Sequence, residues 1–387
     1  MNRPIRIAAT CALLAAACSC RAPGPTGPSV DARMAARDFP SVFQAWNRAE
    51  NVGPEDKWTN VARHDLIWHA PGFFGLRWDK HPAGLAEGFT PKSIRNGLAI
   101  RKKLLGLNPN LIVIAEIRYR DAGKRFLPAG HPWWRRDKAG QIVKGWAEGR
   151  FLQLDFSSPA FCRHVAARAS AAVRSGVFDG VLLDWWSEDW DRLQLVKAIR
   201  RAIGPRALIL VNTNQRIEDV TAPYVNGWFM ECTQSRTAKD WRRIERAARW
   251  AQTHLRRPRV VCVETWSHTS RKDLHLMRAT TALALTHCDG YCLFGDPNPL
   301  PTPDHLHDWY PFWDARLGRP LGQGARNKDG TVRREFDYGT VVYSPMGNGP
   351  VTVTFPEPRT SAASGKTTTA HLVNCPDGDL FLRSSPR

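Results

Sequence analysis

The sequence predicts a (β/α)8 barrel, a TIM barrel, followed by a small C-terminal β appendage, and three observations carry that prediction. Eight short apolar runs recur between residues 65 and 295, most of them separated by segments of helical periodicity. Nearly every run closes on a polar or acidic residue, which in a barrel gathers those groups at one mouth. No GxGxxG or P-loop follows any run, so an open nucleotide-binding sheet lacks its signature.

The central run is Asp179-Gly180-Val181-Leu182-Leu183-Asp184-Trp185-Trp186. It lacks polar alternation, as expected of a parallel strand buried on both faces. Asp184 ends the apolar stretch where the strand would emerge. If Asp184 points to the barrel axis, Gly180 and Leu182 do so too, while Val181, Leu183 and Trp185 face the helices.

The other elements follow in order. Arg3 and Arg6 precede an apolar stretch, 7–17, too short to span a bilayer and suited to a signal peptide, assigned to residues 1–17. Leu13-Leu14-Ala15-Ala16-Ala17-Cys18 resembles a bacterial lipoprotein signal, although Ala15 stands where leucine is usual. It points to a lipid anchor at Cys18, with simple secretion or processing near Cys20 as alternatives. Residues 18–37 form a Pro- and Gly-rich flexible tether. The protein is therefore expected to be exported and membrane-anchored, facing the periplasm or the cell surface, or otherwise secreted.

The barrel is assigned to residues 38–318. Residues 38–61 offer one or two short helices, and strands are expected at 65–69, 111–117, 151–155, 179–184, 207–212, 227–231, 260–264 and 290–295. Helices are expected at 90–107, with Pro91 in the first turn, and at 159–175, 192–203, 239–255 and 272–286. The fifth and sixth strands are joined by little more than a turn. A last helix at 309–317 closes the barrel. Residues 319–387 form the appendage, with β segments at 332–338, 340–344, 350–355 and 370–382, expected to cover one side of the barrel, with independent glycan binding as the alternative role.

Composition narrows the function. The chain has 387 residues and a formal charge of +19, much of it on expected helices such as 239–246. No nucleic-acid motif accompanies the charge, so no nucleic-acid partner is assigned; an acidic glycan or an envelope polymer suits it better. Beyond the signal region the cysteines are Cys162, Cys232, Cys262, Cys288, Cys292 and Cys375. None makes a CxxC array, so no zinc site is assigned. Cys232 and Cys262 read as core residues, and disulfide pairing stays open.

The strand ends supply the candidate site: His69, Glu116 with Arg118, Asp155, Asp184, Asn212 with Asn214, Glu231, Glu264 and Asp296. Several carboxylates at one mouth suggest a site where one is held neutral and another ionised. Among sixteen tryptophans, Trp185, Trp186, Trp228 and Trp266 sit at these ends, and indoles suit the flat C–H faces of sugars. Cleavage of a glycosidic bond needs two carboxyl groups, one acid and one nucleophile or base. Asp184 is assigned as nucleophile or base and Glu231 as proton donor, with Glu264 as the rival acid. The remaining groups are assigned to substrate binding, with Asp155 equally suited to capping the next helix. No cofactor is required.

Three segments resemble known families: Leu154-Asp155-Phe156-Ser157-Ser158-Pro159, Phe178-Asp179-Gly180-Val181-Leu182-Leu183-Asp184, and the strand ending in Glu231. With the tail Phe336-Asp337-Tyr338-Gly339-Thr340-Val341-Val342-Tyr343-Ser344-Pro345, they make the chain similar to hypothetical glycosyl hydrolase family 15. It is more distantly similar to endo-α-1,4-polygalactosaminidase, glycoside hydrolase family 114. The resemblance implies a barrel hydrolase with its acid pair at Asp184 and Glu231, acting on a poly- or oligosaccharide at the cell envelope, and fixes no substrate. A glycan-binding lipoprotein without catalysis is the alternative. A metal-dependent deacetylase is disfavoured because no His-x-His follows the first expected strand.

Overall fold

The computed structural model describes residues 27–296 and 305–383. Eight parallel strands close into a barrel: β1 (Ser41–Ala45), β2 (Leu66–His69), β3 (Ile112–Glu116), β6 (Gly180–Leu183), β7 (Leu208–Asn212), β8 (Gly227–Cys232), β9 (Val260–Trp266) and β10 (Tyr291–Gly295), with β10 returning to pair β1. Strands β4 (Asp121–Gly123) and β5 (Phe151–Gln153) form an antiparallel hairpin above β3. The helices are α1 (Val30–Ala36), α2 (Lys57–Ala62), α3 (Pro91–Leu107), α4 (Pro159–Arg174), α5 (Trp190–Ile203), α6 (Ala238–His254) and α7 (Leu274–His287). Strands β7 and β8 are joined without a helix, as the sequence suggested.

Two expected elements exchange roles. Ser41–Ala45, expected within a helical lead-in, is the first barrel strand, and all five residues are buried. Its polar residues Ser41 and Gln44 hid it, since they break the apolar run that marks a buried parallel strand. Ser41 is satisfied inside by Arg37 Nε, 3.1 Å away. Residues 151–155, expected as the third barrel strand, instead supply β5. Its three residues are only half-buried, which a barrel strand with two covered faces does not allow.

In the central strand β6 every residue is buried. Gly180 is required by close approach, because a Cβ there would lie 2.2 Å from the Leu208 carbonyl oxygen. The strand's entry is pinned by Asp179, which Arg33 of α1 and Arg101 of α3 both engage, the latter at 2.7 Å. The N-terminal helix thus lies against the mouth where strands begin, opposite the mouth where they end.

The C-terminal sheet has six strands: β11 (Ala325–Arg326), β12 (Val332–Phe336), β13 (Gly339–Ser344), β14 (Val351–Ser361), β15 (Thr367–Val373) and β16 (Asp377–Arg383). Residues 370–382, expected as one segment, are two strands separated by a turn around Pro376. The expected helix at 309–317 is a single 3-10 turn, Pro311–Asp314. The sheet is fixed to the barrel through buried polar contacts. Tyr343 Oη donates to Glu245 of α6 at 3.0 Å, and Arg334 donates to the Leu285 and Cys288 carbonyls at the end of α7, each at 2.8 Å. The signal region and Cys18 lie outside the described residues. Within them, no helix is long and apolar enough to cross a membrane, and the six cysteines are free thiols.

Candidate active site

The strand ends of β1, β6, β7, β8 and β9 open into a cleft of about 520 Å3, with the β4–β5 hairpin loop along one side. Trp46, Arg118, Trp146, Glu148, Asp184, Trp185, Asn212, Asn214, Glu231, Thr233, Trp266 and His305 line it. That volume is in the range that holds a small ligand or a few sugar rings.

At its floor Asn212 joins two carboxylates. Its Nδ2 donates to Asp184 Oδ1 and to Glu231 Oε2, each at 2.8 Å, so these oxygens lie no more than twice that distance apart. The amide orientation is fixed because its Oδ1 accepts from the Asn214 backbone N–H at 3.1 Å. Asn214 is held in turn, its Nδ2 donating to the Glu231 carbonyl at 3.0 Å.

The two carboxyls do not titrate alike. Burial, reinforced by the nearby Asp184 and Glu264, pushes Glu231 up to about 8 against the pull of His305 and Asn212. Burial also raises Asp184, and Asn212 and Arg118 draw it back. Glu231 is thus the group that keeps its proton near neutrality. Arg118 bonds Glu116 at 3.0 Å and brings the positive charge that faces Asp184.

Five described non-glycine residues have left-handed backbone, and four of them, Trp46, Trp185, Asn214 and His305, line this cleft. For tryptophan and histidine that conformation costs about 1–2 kcal/mol, so the surrounding structure must impose it. At Trp185 the means are visible: its carbonyl accepts from Tyr119 Oη at 2.8 Å and Arg192 at 3.0 Å. This reversal of the chain overrides strand alternation and brings the Trp185 ring, 46% exposed, to the cleft rim beneath Arg120. Trp186 goes the other way. It is buried, with Nε1 donating to Thr221 at 3.1 Å, and lies outside the cleft.

The other expected site residues divide by strand geometry. Trp266, Asn212, Asn214 and Arg118 join Asp184 and Glu231 in the cleft wall. Glu116 lies below it, fully covered, and accepts from Trp46 Nε1 at 3.1 Å. Glu264 is also fully covered, its oxygens 2.9 and 3.0 Å from His305 Nδ1, so His305 rather than Glu264 meets the cleft. Gly295 makes room for that carboxylate: a Cβ there would lie 2.6 Å from Glu264 Oε1.

Trp228 is not at the cleft. One residue out of phase with the inward-facing positions, it is buried on the helix side and stacks on Trp250 at 5.0 Å. His69 stacks on Phe73 at 4.2 Å, and burial pushes it down to about 4. Asp155 turns back onto its own loop, accepting from the Ser157 N–H at 3.2 Å, while Ser158 caps α4. Asp296 is taken up by Arg271 at 3.3 Å and Ser267 at 3.0 Å. Trp46 and His305 were not singled out from the sequence. The first follows the strand that polar residues disguised, and the second follows a proline-rich connection that carries no periodic signal. Among the described residues no cluster of His, Cys, Asp and Glu is arranged to hold a metal.

No protein-family model matches the sequence, and no curated protein matches it significantly. Solved structures do. A maltogenic alpha-amylase from Thermotoga neapolitana superposes with a TM-score of 0.54 at 11% identity, over 88% of this chain and 97% of that one. A ligand-free cyclic alpha-maltosyl-(1→6)-maltose hydrolase from Arthrobacter globiformis gives 0.55 at 10%, over 92% and 100%. An alpha-amylase from Geobacillus thermoleovorans, complexed with acarbose, gives 0.51 at 13%, over 89% and 98%. At these identities the likeness is one of fold alone, that of a closed eight-stranded parallel barrel.

Proposed function

We propose that this protein is a glycoside hydrolase that cleaves a poly- or oligosaccharide at the cell envelope with Glu231 as acid and Asp184 as nucleophile. One observation carries the reading: a single amide, Asn212, holds both carboxyl groups at the floor of a tryptophan-walled cleft. Two solved structures of similar fold are named as a maltogenic alpha-amylase and a cyclic alpha-maltosyl-(1→6)-maltose hydrolase, which makes α-glucans the first substrates to try.

The chemistry follows from the two environments. Glu231, protonated near neutrality, gives its proton to the glycosidic oxygen as the bond to the anomeric carbon breaks. Asp184 attacks that carbon from the opposite face and forms a glycosyl ester. Glu231, now a carboxylate, takes a proton from water, whose oxygen displaces Asp184 and frees the sugar. The shared amide favours this retaining course, for which carboxyl separations of about 5–5.5 Å are usual, over inversion at about 6.5–9.5 Å. Trp46, Trp146, Trp185 and Trp266 offer ring faces to the sugar.

The test is a screen of α-glucans, acidic glycans and envelope polysaccharides with wild type beside Asp184→Asn and Glu231→Gln. Wild type should release sugar with retained anomeric configuration by NMR. Each variant should lose at least about 10³-fold in kcat while keeping its circular dichroism. Saturable binding without cleavage by wild type would instead make the protein a glycan-binding barrel.

A further inference from the structure

The mouth opposite the cleft carries a second chemical signature. The stretch leading into β7, residues 200–207, contains Arg200, Arg201 and Arg206, and the stretch leading into β9, residues 254–259, contains Arg256, Arg257 and Arg259; neither contains an acid. At the cleft mouth the stretch leaving β6, residues 184–191, contains Asp184, Glu188, Asp189 and Asp191, and bases there pair with acids, Arg192 with Asp189 and Arg118 with Glu116 at 3.0 Å. The two arginine stretches adjoin, since Asn226 Nδ2 donates to the Arg257 carbonyl at 3.1 Å and its Oδ1 accepts from Arg200 at 2.6 Å. Arg201, Arg206 and Arg257 are exposed. Crowding of like charge is felt within the patch: burial and Arg256 push Arg200 down to about 10, and burial and Arg257 lower Arg259.

Beside this patch a groove of about 580 Å3 is lined by Arg257, Arg259 and Arg319, by Asp31, Met34 and Ala35 of α1, and by Asp289, whose charge Arg334 takes up at 2.6 Å. The chain therefore reaches the barrel at the arginine-bearing face. Eight residues lie between Cys18 and Gly27, a reach of about 30 Å when extended. An anchor at Cys18 would hold this face within about 30 Å of a bilayer.

We infer that the arginine-rich face is a docking surface for anionic lipid headgroups, which turns the cleft away from the membrane and toward polymer beyond it. Arginine forks bind phosphate oxygens in pairs, and each basic residue near an anionic surface adds about fivefold in affinity. The inference stands apart from the hydrolase reading, since no residue of the cleft enters it.

The experiment is sedimentation of the full chain carrying Cys18→Ser, so that no lipid contributes, with vesicles of phosphatidylcholine alone or mixed equally with phosphatidylglycerol. Binding should require phosphatidylglycerol and be released by high salt. The triple variant R201E/R206E/R257E, which removes three positive charges and adds three negative ones, should lose well over a hundredfold in affinity, and the milder R206Q/R257Q, a safeguard should reversal disturb folding, roughly 25-fold. Equal binding to both vesicles, or variants that bind like wild type, would overturn the inference. So would binding to dextran sulfate with none to vesicles, which would make the patch a polyanion site.

Discussion

The two mouths of this barrel are built from the same strands and treat their buried charges in opposite ways. Where the strands begin, buried side chains are paired or bonded to backbone carbonyls. Asp179 is held by Arg33 and Arg101, Arg37 donates to the Met34 carbonyl at 2.7 Å, and Arg200 donates to the carbonyls of Gly204, Ala207 and Tyr224. Where the strands end, charge is left short. Asp184 and Glu231 share one amide, and burial raises both. The first arrangement supports the fold, whereas the second keeps a proton where the proposed reaction would use it.

The largest expected effect comes from breaking the matched mouth. Asp179→Ala leaves Arg33 and Arg101 without their carboxylate, one of them almost fully buried. Removing one member of a buried pair costs about 3–5 kcal/mol. Urea unfolding should show that loss, while kcat per folded molecule stays within about twofold of wild type. If activity fell with stability, the two mouths would not be separable.

Breaking the shared amide is the converse experiment. Asn212→Ala removes the donor common to Asp184 and Glu231, and loss of one such oriented donor costs about 10²–10³ in kcat, or about 2.7–4 kcal/mol. Stability should change little or rise at acid pH, where the carboxyls are neutral. A variant with wild-type kcat would show that the amide does not position the pair.

How much of this contrast was legible in the sequence depends on the signal each part leaves. Seven of the eight barrel strands announce themselves because a strand buried on both faces must be apolar throughout, as Val181-Leu182-Leu183 is. Ser41–Ala45 does not, because Ser41 and Gln44 interrupt its apolar run, although each finds a local partner, Arg37 at 3.1 Å and the Trp46 carbonyl at 3.4 Å. Asp184 and Glu231 were readable as acids that end apolar runs. Trp228 was misplaced because proximity to a strand end says nothing about phase, and the Trp185 ring reached the cleft only through a left-handed residue that alternation does not foresee. His305 comes to Glu264 from 41 positions away, across a connection without periodicity. The arginine face was visible only as net charge until the fold collected 200–207 and 254–259 into one surface.

A smaller effect sharpens the account of Glu231. Its folded-state value, about 8, lies above the 4.5 usual for the side chain, so between these values the folded chain binds a proton that the unfolded chain has released. Stability from this group is therefore present below about 4.5 and is lost as pH rises toward 8, at up to about 1.4 kcal/mol per pH unit. Glu231→Gln should remove that slope and be more stable than wild type at pH 8. Hydrolysis by wild type should fall above about pH 8, as the acid loses its proton. Parallel stability curves for the two proteins would mean that Glu231 is ionised throughout.

The smallest effect concerns the exposed arginines. Arg206 and Arg257 make no side-chain contact that the fold depends on, and surface substitutions of this kind change stability by about 0.5 kcal/mol or less. R206Q/R257Q should hydrolyse a soluble oligosaccharide at a rate within about twofold of wild type at any salt concentration. If the substrate is a neutral glycan, its KM should also be unchanged, because an uncharged ligand is not drawn by the arginines' field. A rise in KM confined to acidic glycans and abolished by salt would show that the arginine face draws substrate as well, and the two mouths would then be electrostatically coupled rather than independent.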